Sequence, residues 1–180
     1  MQRVSDLAGA ITEIGFSCTG CGGCCSGDEE ASRVIISPPE IREILSATGM
    51  ERDDIAAPYP EFIDSADDSR FTFAWCLRMK DERCIFLSSD KRCTMYQARP
   101  WICRTYPFAL EGGELVVSDC PGLGGVITDA DARSLATALL RREEAEEREE
   151  QAIRKIFSKS SIPAGKTVVF DSQGMWSIHG

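Results

Sequence analysis

The spacing of apolar residues predicts three helices in this chain. Near the N-terminus, apolar side chains recur at helical intervals over residues 7–14. A second apolar stripe covers residues 38–49, and Ser37 directly before it is a typical helix-capping residue. The longest helix is predicted for residues 129–158, with Thr128 as its cap and a highly charged middle that should face solvent.

Short β-prone runs lie between these helices. One covers residues 33–36, and two more, at residues 71–77 and 83–87, are expected to pair as a hairpin or meander. Turns at paired glycines predict another hairpin that ends at residues 115–117, and residues 166–178 predict a closing strand or hairpin. Together these elements predict an α+β fold with a small, irregular, cysteine-rich core.

Charge is unevenly distributed along the chain. The net charge is -9, which argues against general nucleic-acid binding because phosphate neutralisation needs a basic surface. Residues 70–104 are nevertheless locally basic, whereas residues 28–68 are strongly acidic, with a proline-interrupted loop and at most a turn of helix expected after residue 51. The basic residues would offset the charge of an anionic metal centre, or they form an ordinary solvated surface.

Nine cysteines give the chain its most distinctive chemistry. Four of them, Cys18, Cys21, Cys24 and Cys25, lie in a glycine-rich stretch that must turn tightly instead of forming a helix. Two successive two-residue gaps let thiolates face one centre, and the glycines let backbone N–H groups approach sulfur. Because Cys24 and Cys25 are neighbours, one of them is expected to turn away from that centre.

The remaining cysteines are needed to complete a larger site. Four of them are predicted to join the loop, either in one shared site or in two four-thiolate sites. These additional ligands are Cys84, Cys93, Cys103 and Cys120. Cys76 lies in an apolar run and is predicted to take no part. The single histidine, His179, is a poor candidate ligand, so any metal site should be rich in thiolates.

The cysteine spacing leaves iron–sulfur and zinc open as the metal. Cys18-x-x-Cys21-x-x-Cys24 with a remote Cys120-Pro121 is similar to the ligand pattern of a cubane 4Fe–4S cluster. Zinc fingers more often use separated cysteine pairs with a two-residue gap, and the sequence contains no second such pair. We therefore expect an iron–sulfur cluster, with zinc as the alternative.

Disulfides are a weaker explanation for the cysteines. Their number is odd, and adjacent cysteines form a disulfide with each other only under strain. The N-terminal residues also lack the uninterrupted apolar stretch of a secretory signal, which favours a reducing, cytoplasmic location.

Four cysteine-containing motifs follow one another in the chain. They are Phe16-Ser-Cys-Thr-Gly-Cys-Gly-Gly-Cys-Cys25, Cys84-Ile-Phe-Leu87, Arg92-Cys-Thr-Met-Tyr96 and Arg99-Pro-Trp-Ile-Cys-Arg-Thr-Tyr-Pro-Phe108. In this order they resemble the YkgJ-type cysteine-cluster family, the zinc- or iron-chelating CxxCxxCC domain, over residues 16–125. The resemblance implies a metal-chelating domain without an agreed activity. It also implies that the ligands are the seven cysteines of these motifs, with Cys120 in a family-like Cys-Pro-Gly segment.

Three residues beside Cys103 are predicted to contact the metal cofactor: Arg99, Arg104 and Tyr106. A guanidinium or a phenol can donate hydrogen bonds around an anionic centre, although Arg-Pro and Tyr-Pro can also simply set turns. The sequence lacks a phosphate-binding GxxxxGK loop and an HExxH motif, and it identifies neither a catalytic residue nor a small-molecule substrate.

Three functions remain open from the sequence. The first is a metal-cluster protein for electron transfer, sensing or metal handling, and the second is a cluster-dependent enzyme that modifies protein lysines. Flagellin lysine methylases carry a similar cysteine cluster but are longer than this chain. The third is a structural zinc domain that presents a surface to a protein partner. We expect one domain over residues 1–180 with its metal-binding core at 16–125, and no membrane-spanning segment.

Overall fold

A computed structural model of the 180-residue chain describes residues 2–26, 33–65 and 67–178. It confirms the predicted α+β class, and His179 lies outside the described residues. The helices are α1 (Gln2–Ile14), α2 (Pro38–Thr48), α3 (Arg52–Ile55), α4 (Trp101–Thr105) and α5 (Asp129–Phe157). The strands are β1 (Ile35–Ile36), β2 (Ala56–Pro58), β3 (Ile63–Asp64), β4 (Arg70–Thr72), β5 (Trp75–Leu77), β6 (Met79–Lys80), β7 (Arg83–Cys84), β8 (Phe108–Glu111), β9 (Glu114–Val117), β10 (Thr167–Asp171) and β11 (Gly174–Ile178).

The strands form two sheets and two separate hairpins. One sheet has the order β1-β5-β2, and the other has the order β11-β10-β4-β3, in which β10 and β4 run parallel. The hairpins are β6-β7 and β8-β9. The predicted pairing of residues 71–77 with 83–87 is wrong, because the first run is divided between the two sheets. β5 pairs with β1 on one side and β2 on the other, and all three of its residues are buried because both faces of this sheet are covered.

Helices α1 and α5 pack against each other and against the β8-β9 hairpin. Ala132 and Ala136 are fully buried on α5, and their small side chains allow α1 to approach closely at Ile11. Thr128 caps α5 as predicted, since its side-chain oxygen accepts a hydrogen bond from the Asp131 amide at 3.1 Å. None of the described helices is both long enough and apolar enough to cross a membrane.

Helix α2 covers the sheet β1-β5-β2. Ile41 and Ile44 are buried in the same apolar cluster as Trp75 and Leu77 of β5. The helix begins with a capping box between Ser37 and Glu40 and ends at Gly49, as its sequence pattern predicts.

The C-terminal end of α5 is fixed to the other sheet by aromatic packing. The rings of Phe71, Phe73, Phe157 and Phe170 have centroid separations from 5.1 to 6.0 Å, mostly in edge-to-face arrangements. The predicted closing hairpin is β10-β11, and Val168, Val169 and Phe170 of β10 are fully buried.

Candidate metal centre

A backbone contact joins the start of the cysteine loop to the region of Cys120. The Ser17 amide donates to the Gly122 carbonyl at 2.9 Å, and the Gly124 amide donates to the Gly15 carbonyl at 3.0 Å. The backbones are so close that a Cβ atom on Gly122 would lie 2.4 Å from the Ser17 carbonyl oxygen. This glycine contact places Cys18 and Cys120 in the same part of the molecule.

The other end of the loop lies against β7 and the turn that follows it. Ser26 forms a β-bridge with Arg83, which brings Cys25 beside Cys84. The Leu87 amide donates to the Cys84 carbonyl at 2.9 Å, and Leu87 in turn forms a bridge with Cys93. These backbone contacts bring together three cysteines that are far apart in the sequence.

Cys103 joins these three from helix α4. The Glu40 carboxylate positions this helix, because it accepts a hydrogen bond from the Trp101 amide at 2.8 Å while it also caps α2. Cys84, Cys93 and Cys103 are half-buried and all pack against the apolar cluster under α2. The sequence pattern did not predict α4, although Glu40 is recognisable as part of a capping box.

Electrostatic interactions indicate which cysteines lie near one another. Burial, followed by the charges of Cys84, Cys24 and Cys93, raises the pKa of Cys103 to about 12. The hydrogen bond shared with Cys24 lowers the pKa of Cys25, while burial and the charges of Cys84, Cys103 and Cys93 act in the opposite direction. We call Cys25, Cys84, Cys93 and Cys103 the inner cysteines.

The adjacent pair does not separate as expected from the sequence. The sulfurs of Cys24 and Cys25 lie 3.8 Å apart, so both side chains point to the same side of the loop. The pKa of Cys24 is strongly raised, chiefly by its hydrogen bond with Cys25. Cys24 therefore lies where the inner cysteines meet the remainder of the loop.

Tyr106 marks a second group of sulfurs. Its pKa is raised by burial and then by the charges of Cys120, Cys24 and Cys21, so these three residues are close enough to influence the phenol. The phenol donates a hydrogen bond to the carbonyl oxygen of Asp119. The glycine contact adds Cys18, and we call Cys18, Cys21, Cys24 and Cys120 the outer cysteines. Cys18, Cys21 and Cys24 are exposed, whereas Cys120 is half-buried.

Backbone amides interact with cysteine sulfurs at three places, two of them through hydrogen bonds with a defined distance. The Gly23 amide lies 3.4 Å from the Cys21 sulfur, and the Gly122 amide lies 3.4 Å from the Cys120 sulfur. The Gly23 bond is the main cause of the lowered pKa of Cys21. At Cys84 burial raises the pKa, while a hydrogen bond from the Phe86 amide opposes that rise. In each case the amide is two residues beyond the cysteine, where it stabilises negative charge on sulfur.

The two predicted arginines occupy different environments. Arg99 lies close enough to Cys103 and Cys24 for its charge to lower the pKa of both thiols against the larger opposing effects described above. Arg104 instead forms an ion pair with Glu43 at 2.6 Å and lies over the Trp101 ring.

Cys76 is placed away from both groups. It is buried in the centre of β5, and its thiol lies 3.5 Å from the Ala57 carbonyl oxygen and 3.7 Å from that of Pro58. These contacts are those of a small buried side chain in a sheet.

The donor set fits a thiophilic metal. The inner and outer cysteines together supply eight sulfurs, and amide donors and Arg99 can stabilise the thiolate forms. Within the described ranges, no three cysteine, histidine, aspartate or glutamate side chains already surround a common point as metal ligands. The described side chains thus indicate where a metal centre would lie, but they are not arranged as its ligands.

The fold is α+β, and it brings cysteines from distant segments of the chain close together. This combination is typical of cysteine-rich, metal-chelating proteins. The model of the CxxCxxCC family, described as a "putative zinc- or iron-chelating domain", matches residues 17–121, which is more than half of the chain. The chain belongs to this family. The match confirms the predicted family resemblance and supports metal binding, and its description covers both zinc and iron. No solved structure matches the chain.

Proposed function

We propose that this chain is a redox-active iron–sulfur protein in which the outer and inner cysteines hold two adjacent centres. The observation that carries the proposal is the pair of backbone amides directed at sulfur two residues beyond Cys21 and Cys120. Hydrogen bonds to sulfur are one of the means by which proteins set the potential of an iron–sulfur cluster.

The outer cysteines favour a 4Fe–4S cluster. Three of them follow the two-residue spacing of a cubane site, and the fourth, Cys120, is followed by proline. Exposure of Cys18, Cys21 and Cys24 would leave one side of the centre accessible from solvent. When bound, such a cluster supplies one-electron redox chemistry, and an accessible edge is suited to electron exchange with another molecule.

The inner cysteines support a second centre. Cys25 interacts electrostatically with Cys84, Cys93 and Cys103, and all four are half-buried. Because Cys24 and Cys25 are consecutive and their sulfurs lie 3.8 Å apart, the two centres would be joined through this pair. Arg99 lies near thiols of both groups, where its positive charge would offset part of their combined negative charge.

The first experiment is anaerobic purification followed by metal and sulfide analysis and visible spectroscopy. Two cubane clusters would give a brown protein with about eight irons per chain and a paramagnetic signal on reduction. A colourless protein with stoichiometric zinc and no iron would contradict the redox function and favour a structural zinc domain.

The second experiment tests the division of the cysteines into two groups. Cys21→Ala removes an outer sulfur, and Cys103→Ala removes an inner one. With two centres, each variant should retain about half of the iron, since the other centre keeps its four sulfurs. If either substitution removes all of the iron, the cysteines form one shared site and the division is wrong. Cys76→Ala is the matched control and should keep the full iron content.

A further inference from the structure

A groove opens beside the outer cysteines. It has a volume of about 840 Å³ and runs between α5 and the segment that ends in α4, with Cys18 among its lining residues. Pockets for small organic ligands usually fall between about 300 and 1,000 Å³, so the groove has the size of a binding site.

The α5 side of the groove presents two arginines. Arg133, Thr137 and Arg141 follow one another at intervals of four residues, which places them on one face of the helix. The guanidinium groups of Arg133 and Arg141 form no hydrogen bond or ion pair with any described residue. On the same helix, by contrast, Arg142 pairs with Glu146 at 2.7 Å and Arg154 pairs with Glu150 at 2.5 Å.

The opposite side of the groove holds two arginines in fixed positions. Arg99 lies 3.5 Å above the centre of the Tyr96 ring and donates to the Tyr96 carbonyl at 2.9 Å. Arg104 lies 5.2 Å from the centre of the Trp101 ring and is neutralised by Glu43. Stacked guanidinium groups lose little conformational freedom when they bind a ligand.

The charges that line the groove are not balanced. Its one carboxylate among the described lining residues is Asp131, which accepts a hydrogen bond from the Thr128 hydroxyl at 2.7 Å. Arg104 is neutralised by Glu43 and Arg99 is shared with Cys103, so the positive charges of Arg133 and Arg141 outweigh this single negative charge. Phe16, Val126 and Ile127 add apolar surface, and Val126 is 92% exposed.

We propose that this groove binds a small organic molecule that carries at least two carboxylate or phosphate groups. Guanidinium groups bind both kinds of oxyanion through paired charge-assisted hydrogen bonds, and the apolar edge would contact the organic body of the ligand. Because Cys18 lines the groove, the ligand would lie next to the outer cysteines. The inference goes beyond the redox function, since binding requires the arginines and not the metal.

The test is calorimetric titration of the anaerobically purified full chain with two probes, citrate and adenosine diphosphate, at low ionic strength. At least one probe should bind, and a preference for citrate or for the diphosphate would assign the ligand to the carboxylate or phosphate class. The double variant Arg133→Ala/Arg141→Ala should bind at least about tenfold more weakly, because each lost arginine removes a charge-assisted hydrogen bond. The matched control is Arg148→Ala/Arg154→Ala, which changes the net charge equally on the same helix and should stay within about twofold of the unmodified chain.

Three results would overturn the proposal. They are failure of both probes to bind, equal weakening by the two double variants, and loss of metal from the Arg133→Ala/Arg141→Ala variant, which would assign these arginines to the metal centre. Hydrogen exchange on the unmodified chain provides a second readout, since a bound probe should slow exchange in residues 94–104 and 129–141 but not in 145–157. Metal content and the visible spectrum are recorded on the same samples. Binding by a colourless zinc protein would therefore support the groove while contradicting the redox function.

Discussion

The cysteine-bearing segments and the C-terminal region are stabilised in different ways. Residues 17–26 and 83–103 contain only short elements in the structure, such as the two-residue β7 and the five-residue α4, and their cysteines are exposed or half-buried. The C-terminal region has a helix of 29 residues, and three consecutive residues of β10 are fully buried. Apolar burial stabilises the second region, whereas we expect bonds from sulfur to metal to contribute much of the stability of the first.

Metal removal should have the largest effect of the four changes. It should reduce hydrogen-exchange protection in the cysteine-bearing segments but not in the C-terminal region. In hydrogen-exchange experiments on chelator-treated protein, residues 17–26 and 83–103 should lose nearly all protection, because their cysteines no longer share a ligand. Residues 129–141 and 167–171 should keep theirs, since α5 and β10 are held by apolar contacts. Equal loss in both regions would show that they do not differ in this way.

Phe170→Ala tests the apolar side of the comparison. This fully buried ring packs against three other phenylalanines, so its removal should lower the free energy of unfolding by about 3–5 kcal/mol. Denaturant unfolding of the metal-loaded protein measures the change. Val126→Ala, at an exposed position, should change stability by less than about 0.5 kcal/mol. A loss of metal from folded Phe170→Ala protein would mean that the two regions are coupled.

Gly122→Ala tests the contact between the two ends of the cysteine-rich segment. The new Cβ atom would meet the Ser17 carbonyl oxygen, which is backbone and cannot move independently. We expect a loss of about 3 kcal/mol, at the upper end of the range for overpacking, together with weaker metal binding by the outer cysteines. The control is Gly9→Ala within α1, where a Cβ has no neighbour within 4 Å and should add about 0.5–1 kcal/mol of stability. Equal behaviour of the two variants in thermal unfolding and metal titration would contradict the importance of this contact.

Glu40→Ala should have the smallest effect of the four substitutions or treatments. The carboxylate accepts hydrogen bonds from the Ser37 amide and hydroxyl and from the Trp101 amide, so its loss leaves donors at the starts of both α2 and α4 without a partner. A destabilisation of about 2 kcal/mol is expected in denaturant unfolding, with looser metal binding at Cys103. Glu150→Ala, which removes an exposed ion pair, should cost less than about 0.5 kcal/mol.

The longer helices, the glycine-turn hairpin β8-β9 and the closing hairpin β10-β11 were predictable from the sequence because their signals are local. The cap at Thr128, the stripe of α2 and the glycines between β8 and β9 each act within a few residues of the element they define. The cysteine motif likewise predicted a tight loop with backbone amides close to sulfur.

Other features depend on contacts between distant residues and have no local signal. Strands β2 and β3 were missed within a region expected to be a loop, since two or three residues show no periodicity. The partners of β4 and β5 depend on which sheet each one joins. The two groups of cysteines could not be separated from spacing alone, because Ser26 and Arg83 meet through a backbone bridge that spacing does not encode.

The contact between Ser17 and Gly122 also has an evolutionary consequence. The segment that defines the family, residues 17–121, leaves and re-enters the rest of the fold at one point, with its ends one hydrogen bond apart. A unit with adjacent ends can be inserted into a surface turn of an unrelated protein without separating the host's strands or helices. Because β3 and β4 of this segment form one sheet with β10 and β11, such a chelating module would have to be transplanted together with the C-terminal hairpin.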